Sequence, residues 1–137
     1  MNVLQFSFDN IKNKKVTSKI DKFKENSVSY ISTHDSDTWC GFIKSQKEKN
    51  KKLIFDSMDI DIEDKMHYKK AIQKVYESKS KLVIVLMQDL LGIGSKGRIN
   101  TPSLVSSKNW SYRFDENYIN DDIKNYLKNL TIKTKRV

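Results

Sequence analysis

Apolar and polar positions along this 137-residue chain follow two periods that alternate from one end to the other. Short apolar runs with β-branched and aromatic residues lie at Val3 to Phe8, Ser27 to Ser32 and Leu82 to Leu86, and each reads as a strand. The third run lacks polar alternation, which predicts burial on both faces. Between the strands the spacing shifts to three and four. Trp39, Phe42 and Ile43 share one side of a helix expected from Asp37 to about Lys49. Tyr68, Ala71, Ile72, Val75 and Tyr76 form the stripe of a helix from Asp64 to Glu77, and Asp56 to Asp64 is expected to hold a short turn. A last amphipathic helix spans Asn120 to Leu130, with Ile119, Ile123, Tyr126, Leu127 and Leu130 on its stripe. Asp121 and Asp122 suit its positive end, and Lys133 onward its negative end. Asp9 to Asn26 is polar and Lys-rich and reads as an irregular loop. Strand, helix, strand at these separations implies parallel strands joined by crossovers, an α/β class. No repeat or linker divides the chain, so residues 1–137 are expected to form one segment of one domain.

Composition narrows the function classes. One Pro and four Gly argue against a disordered or linker-type chain. Cys40 is the single cysteine, which excludes an internal disulfide and favours a reducing cytosol. The opening VLQFSF breaks at Asp9, unlike a signal peptide, and the longest apolar run, Leu82 to Met87, is far too short for a bilayer. A soluble, cytoplasmic protein with no membrane contact is therefore expected. The net charge of +9 invites a nucleic-acid reading, with basic residues at Lys12 to Lys24, Lys44 to Lys52 and Lys133 to Arg136. Nearly all are Lys; only Arg98, Arg113 and Arg136 offer bidentate forks to phosphate or guanine. No zinc spacing, helix-turn-helix or aromatic-basic platform accompanies them, so the charge is read as solvated surface, with non-specific polyanion binding as the minor alternative.

Candidate chemistry gathers at strand ends. Tyr30 to Thr38 reads YISTHDSDT, an apolar run that delivers His34 and Asp35 at its C-terminal end. A (β/α) barrel presents catalytic groups in this way. Ser36, Asp37 and Thr38 equally suit a cap on the next helix. Gln88 and Asp89 follow the third strand and would either orient Asp35 or satisfy loop amides. Asn100-Thr101-Pro102 and Asn109-Trp110 combine amides with an aromatic ring, the mix that binds sugar hydroxyls and sugar faces. For Trp110 and Tyr112, core packing against the terminal helix is the alternative. Gly92-Ile93-Gly94-Ser95 lacks both the third glycine of a dinucleotide fingerprint and the Gly-Lys-Ser/Thr ending of a P-loop, and reads as the end of a short helical turn begun at Gln88. No His/Cys cluster has metal spacing, and no metal or cofactor is expected. His67, on a charged helix, is expected to be solvated.

In order, VLQFSF, YISTHDSDT, MQDLLGIGS, GRINTPS and NWSYR resemble the C-terminal third of the 4-α-glucanotransferases, the amylomaltases or disproportionating enzymes of glycoside hydrolase family 77. The resemblance runs from Met1 to about Arg113. It implies that the three strands are the sixth, seventh and eighth of a (β/α)8 barrel, which is incomplete with these alone. It also implies that the nucleophilic Asp and acid/base Glu follow the fourth and fifth strands, upstream of the position matching Met1. Asp35 would then be the third carboxylate, which stabilises the transition state, and His34 would contact the same sugar. Asn100, Gln88 and Trp110 are the candidate substrate contacts. The implied reaction moves an α-1,4-glucan segment between malto-oligosaccharides without a metal or cofactor. The remaining part of the barrel is the implied partner, and the 137 residues alone are expected to be inactive. The alternative is a non-catalytic remnant that binds glucan weakly or complements a separate piece. Three departures stand out: Ser36 where the family usually has Asn, Ser32 where it usually has Gly, and Lys96 where it commonly has an acidic residue.

Overall fold

The computed structural model describes residues 1–8, 11 and 19–136. Much of the Lys-rich loop expected over residues 9–26 lies outside them; its described end holds a 3-10 turn at Lys19–Lys22. Three strands, β1 (Asn2–Val3), β2 (Val28–Tyr30) and β3 (Leu82–Ile84), form a parallel sheet in the order β1-β2-β3. Val3 pairs with Tyr30, and Tyr30 with Ile84, so the C-terminal ends of the strands are level. Five helices follow or flank them: α1 (Trp39–Ser45), α2 (Glu48–Asp56), α3 (His67–Tyr76), α4 (Met87–Leu90) and α5 (Asp121–Lys133). The α/β class and parallel crossovers are as expected.

One face of the sheet carries the core. Leu4, Ile31, Trp39, Ile54, Phe55, Ile72 and Val75 are all buried in one cluster, against which Val83 packs. The α3 stripe reaches this core as its spacing predicts, with Ala71, Ile72 and Val75 buried. α5 closes over it through Leu130, and the Tyr126 hydroxyl donates to the Lys69 carbonyl at 2.8 Å. Arg136 reaches back from the chain's end to donate to the carbonyls of Tyr76, Ser78 and Ser80. These acceptors lie at and beyond the end of α3, where helix carbonyls lack intrahelical partners.

Several expected boundaries shift for physical reasons. The first strand ends at Val3, and Gln5–Phe8 wind into a 3-10 turn that buries Phe8 while leaving Phe6 exposed. Leu4 and Gln5 still donate to the Tyr30 and Ile31 carbonyls. The helix expected from Asp37 to Lys49 is instead α1 and α2, broken at extended Gln46 and Lys47. Residues 44–52 contain no apolar side chain that could hold a continuous helix to the core. α3 starts at His67 because Asp64 is used in a turn, its carboxylate accepting from the Met66 amide at 2.7 Å. Ile119 stands exposed before α5 and leaves its stripe.

The largest correction concerns β3. Leu82 is 58% and Ile84 43% exposed, so this strand is buried on one face only. Register and side-chain alternation place Leu82 and Ile84 on one face with Val28 and Tyr30. That face is open, and within the described residues the outer edges of β1 and β3 have no strand partner. No helix of the described residues is long and apolar enough to cross a membrane.

His67 is not solvated as expected. Its Nδ1 accepts the Trp39 indole N–H at 3.1 Å, and its ring lies 5.2 Å from that of Phe55. Burial holds the imidazole below its ordinary range, the Asp64 charge opposes that shift, and Lys51 adds to it. The folded state thus favours the neutral ring. The resulting stabilisation is complete above about pH 6.5, the unfolded value, and is lost as pH falls toward the lower folded value. Acidification from about pH 8 to about pH 5.5 should therefore lower Tm in the native chain, and should lower it less in His67→Gln, which cannot take up the proton. Equal losses in the two proteins would assign the acid sensitivity elsewhere.

Candidate active site at the C-terminal strand ends

Because β2 and β3 run parallel with level ends, the loops that leave them emerge side by side. The loop after β2, residues 31–38, carries His34, Asp35 and Asp37. α4 and residues 91–100 follow β3. At the start of the first loop the Ser36 hydroxyl accepts from the Thr33 amide at 2.9 Å, and Ser36 N–H donates back to the Thr33 carbonyl. This turn sets His34 and Asp35 at its apex. Thr38 then caps α1, its hydroxyl accepting from the Gly41 amide at 3.1 Å.

Asp35 is held from the neighbouring loop. Asn100 Nδ2 donates to its Oδ1 at 2.7 Å, and His34 Nε2 lies 3.3 Å from its Oδ2. The backbone is tied as well: Asn100 N–H donates to the His34 carbonyl at 3.0 Å, and Arg98 Nη2 donates to the Asp35 carbonyl at 2.9 Å. Arg98 Nε also donates to the Asn100 carbonyl, so one guanidinium spans both loops. The side chains of His34 and Asp35 remain about half exposed. The carboxylate is thus oriented on one side and open on the other.

Trp110 completes the cluster. Its ring centroid lies 5.3 Å from that of His34, its side chain is largely open (59% exposed), and its amide donates to the Ile99 carbonyl at 2.8 Å. Core packing against the terminal helix is not what this residue does. Tyr112 meets Phe114 edge to face at 5.2 Å. The backbone at Trp110 is left-handed, φ 61°, which is uncommon for a bulky residue and is sustained here by neighbouring turns. Asn109 braces the same loop by accepting from the Thr101 amide and donating to the Leu104 carbonyl.

Four of the expected site residues, His34, Asp35, Asn100 and Trp110, therefore come together. Gln88 does not join them: it is 3% exposed, and its Cγ packs close to Gly97 beneath the loop. Asp37 acts as an acceptor behind the site, with Oδ1 taking the Thr38 amide and Oδ2 the Ser95 hydroxyl at 2.7 Å. Arg98 was overlooked by sequence reasoning, which counted it only as a phosphate fork; its place two residues before Asn100 was the available signal. Asp89 is buried and takes the Trp39 amide, so it satisfies a loop amide as one of its two expected roles. The Cys40 thiol is pushed up to about 11, chiefly by burial and then by the Asp89 charge, which keeps it protonated and unreactive. Among the described residues, no three His, Cys, Asp or Glu side chains group to hold a metal.

The chain is similar in sequence and fold to known proteins. A family model described as 4-alpha-glucanotransferase matches residues 1–119. A 4-alpha-glucanotransferase of Clostridium butyricum is 33% identical over 112 residues, 80% of this chain and 22% of the relative. One from Aquifex aeolicus is 30% identical over 128 residues, 93% of this chain and 25% of the relative. An amylomaltase from Streptococcus agalactiae, solved in complex with acarbose, superposes with a TM-score of 0.87 at 24% identity, covering 99% of this chain and 27% of that one. The chain thus spans about a quarter of the length of these proteins.

Gly41 tests how the two loops are joined. A Cβ there would sit 2.5 Å from both Asp37 Oδ1 and Ser95 Oγ. In a free helix Gly→Ala gains about 0.5–1 kcal/mol. Here the methyl must break the Asp37–Ser95 bridge, and crowding of this kind costs about 1–3 kcal/mol. Gly41→Ala should therefore lower stability by about 1 kcal/mol on balance, read as a reduced denaturation midpoint. A raised midpoint would show that losing the bridge costs less than the roughly 0.5–1 kcal/mol gained by the helix.

Proposed function

Since the chain belongs to the 4-alpha-glucanotransferase family, glycoside hydrolase family 77, we propose that it forms part of an enzyme moving α-1,4-glucan segments between malto-oligosaccharides with retention of configuration. In this reading residues 1–137 are the C-terminal segment of a (β/α)8 catalytic barrel, and β1, β2 and β3 are its sixth, seventh and eighth strands. The observation that carries the assignment is the Asp35 carboxylate, fixed by Asn100 at a strand's C-terminal end and open toward solvent beside Trp110.

Retaining transfer passes through a cation-like transition state between a nucleophilic and an acid/base carboxylate about 5–5.5 Å apart. A third carboxylate that accepts hydrogen bonds from the sugar at the cleavage site stabilises that state as the bonds shorten. Asp35 has this role in our reading. One oxygen is held by Asn100, and the carboxylate keeps acceptor capacity for sugar hydroxyls. His34 contacts the same sugar, and the exposed ring of Trp110 offers a flat apolar face to a pyranose. Asn100 both orients Asp35 and stands within reach of the ligand, while Gln88 backs the loop from below. A second glucan's 4-hydroxyl takes the place of water as acceptor, and neither metal nor cofactor is needed.

The nucleophile and acid/base are assigned, by family resemblance, to strands that these residues do not supply. The open face of Val28, Tyr30, Leu82 and Ile84 supports this, because it is the surface that further barrel strands would cover. Malto-oligosaccharides and the remaining barrel are therefore the proposed partners, with the cytoplasm as the compartment on account of the lone Cys40. The nucleic-acid reading is disfavoured by the arginines: Arg98, Arg113 and Arg136 all donate to backbone carbonyls.

In a complete enzyme carrying this segment, Asp35→Asn should lower kcat by roughly two orders of magnitude or more with the fold intact. His34→Ala should be milder, since it leaves the Asp35 carboxylate in place. Near-normal disproportionation of maltotriose by the Asp35 variant would overturn the assignment. The purified 137-residue chain should show no chain-length redistribution from maltotriose, and turnover there comparable to a complete enzyme would contradict the strand alignment.

A further inference from the structure

Asp89 stands outside the group of residues proposed to touch sugar, yet it is 1% exposed and makes contacts at both ends of the Asp35 loop. Its Oδ2 accepts from the Ser32 hydroxyl at 2.5 Å and its Oδ1 from the Trp39 amide at 2.8 Å. Ser32 is the last buried residue before the loop, and Trp39 opens α1 after it. Between them lie only residues 33–38, which include His34, Asp35 and Asp37. The same carboxylate sits on α4, directly after β3, on the element that leads into the Asn100 loop.

We propose that Asp89 is a positioning residue that sets where Asp35 and His34 stand, by holding both ends of their loop to the segment that supplies Asn100. Three physical arguments support this. A loop of six residues clamped at both ends has few remaining conformations, so the Asp35 backbone can meet Arg98 and Asn100 without a further ordering cost. Second, an α-helix leaves its first amides without partners, and Asp89 takes the first of α1 in a bond between a carboxylate and a positive helix end. Third, burying a carboxylate is expensive unless it is fully hydrogen-bonded. Burial pushes the Asp89 carboxyl upward; the Ser32 hydroxyl, the Trp39 amide and the Ser32 backbone pull it back, and the Asp37 charge adds to the rise. A group kept at that cost, tied to both loop ends, is explained by the geometry it imposes. Ser32 shares the task. A residue without a hydroxyl there would weaken the β2 end of the clamp, leaving only the Ser32 backbone contact.

The inference rests on the reading of Asp35 as a sugar-binding carboxylate for its purpose, but its geometry is testable without ligand. Amide exchange followed by mass spectrometry on the 137-residue chain at low concentration separates loop from core. In Asp89→Ala and Ser32→Ala, exchange over residues 33–39 and 98–101 should rise about tenfold, the scale of one lost charge-assisted hydrogen bond, while α3 stays at the native rate. Asp89→Asn should recover most of the protection lost in Asp89→Ala, because its carbonyl can take the Trp39 amide while its NH2 donates to Ser32 Oγ, with only the charge lost. Unchanged loop exchange in both alanine variants overturns the proposal. So does equal acceleration in α3, which would make Asp89 a residue of the fold alone, or failure of Asn to restore the loop. Acarbose added to the native chain reads the other claim separately: absence of any protection near His34 and Trp110 would count against sugar binding and leave the clamp standing.

Discussion

Parallel pairing of Val28–Tyr30 with Leu82–Ile84 brings two loops from distant parts of the sequence to the same level, and the site follows from that register. A strand's side chains alternate, so a slip by one residue would turn Val83 from the core and move Asn100 relative to Asp35. The register is locked from both ends. At the N-terminal end the Ser27 and Ser80 hydroxyls meet at 2.9 Å. At the C-terminal end Ser32 meets Asp89. Two hydroxyl contacts and the core beneath Val83 thus determine where a half-exposed carboxylate stands some residues later.

Much of this was legible in residue patterns. α3 needed only its spacing of three and four, because its stripe faces a core on one side. The His34-Asp35 pair at a strand end is a weak signal alone, and it was the resemblance carried by YISTHDSDT and the motifs after it that singled the pair out. What sequence reasoning missed depends on contacts across long separations. His67 sits among charges in sequence, and the Trp39 indole, 28 residues away, makes it a half-buried acceptor. Trp110 has the composition of a core residue and the position of a surface one. The break between α1 and α2 was hidden because a polar run carries no period in either direction.

The misreading of β3 has a different origin. Its unbroken apolar run did report the environment that sequence is suited to, with cover on two faces. In the 137 residues alone only one face is covered. Fully burying a side chain such as Leu82 or Ile84 contributes about 1.5–3 kcal/mol, so the open face represents several kcal/mol of unrealised stability. The chain matches about a quarter of the length of its relatives, and under the function proposed above the remaining barrel supplies that cover. In the proposed reading, sequence and structure disagree here because the pattern describes a complete barrel, of which these residues are one segment.

The central claim is that the loops after β2 and β3 act as one unit, with Asn100 orienting Asp35 for work on a glucan. A double-mutant cycle measures this directly: Asp35→Asn, Asn100→Ala and the pair, compared by kcat for maltotriose disproportionation in a complete enzyme carrying this segment. If Asn100 acts through Asp35, losing it should matter little once Asp35 is gone, giving a coupling energy of about 1–3 kcal/mol. Additive losses, with coupling below about 0.5 kcal/mol, would mean that the 2.7 Å bond between them has no part in the chemistry.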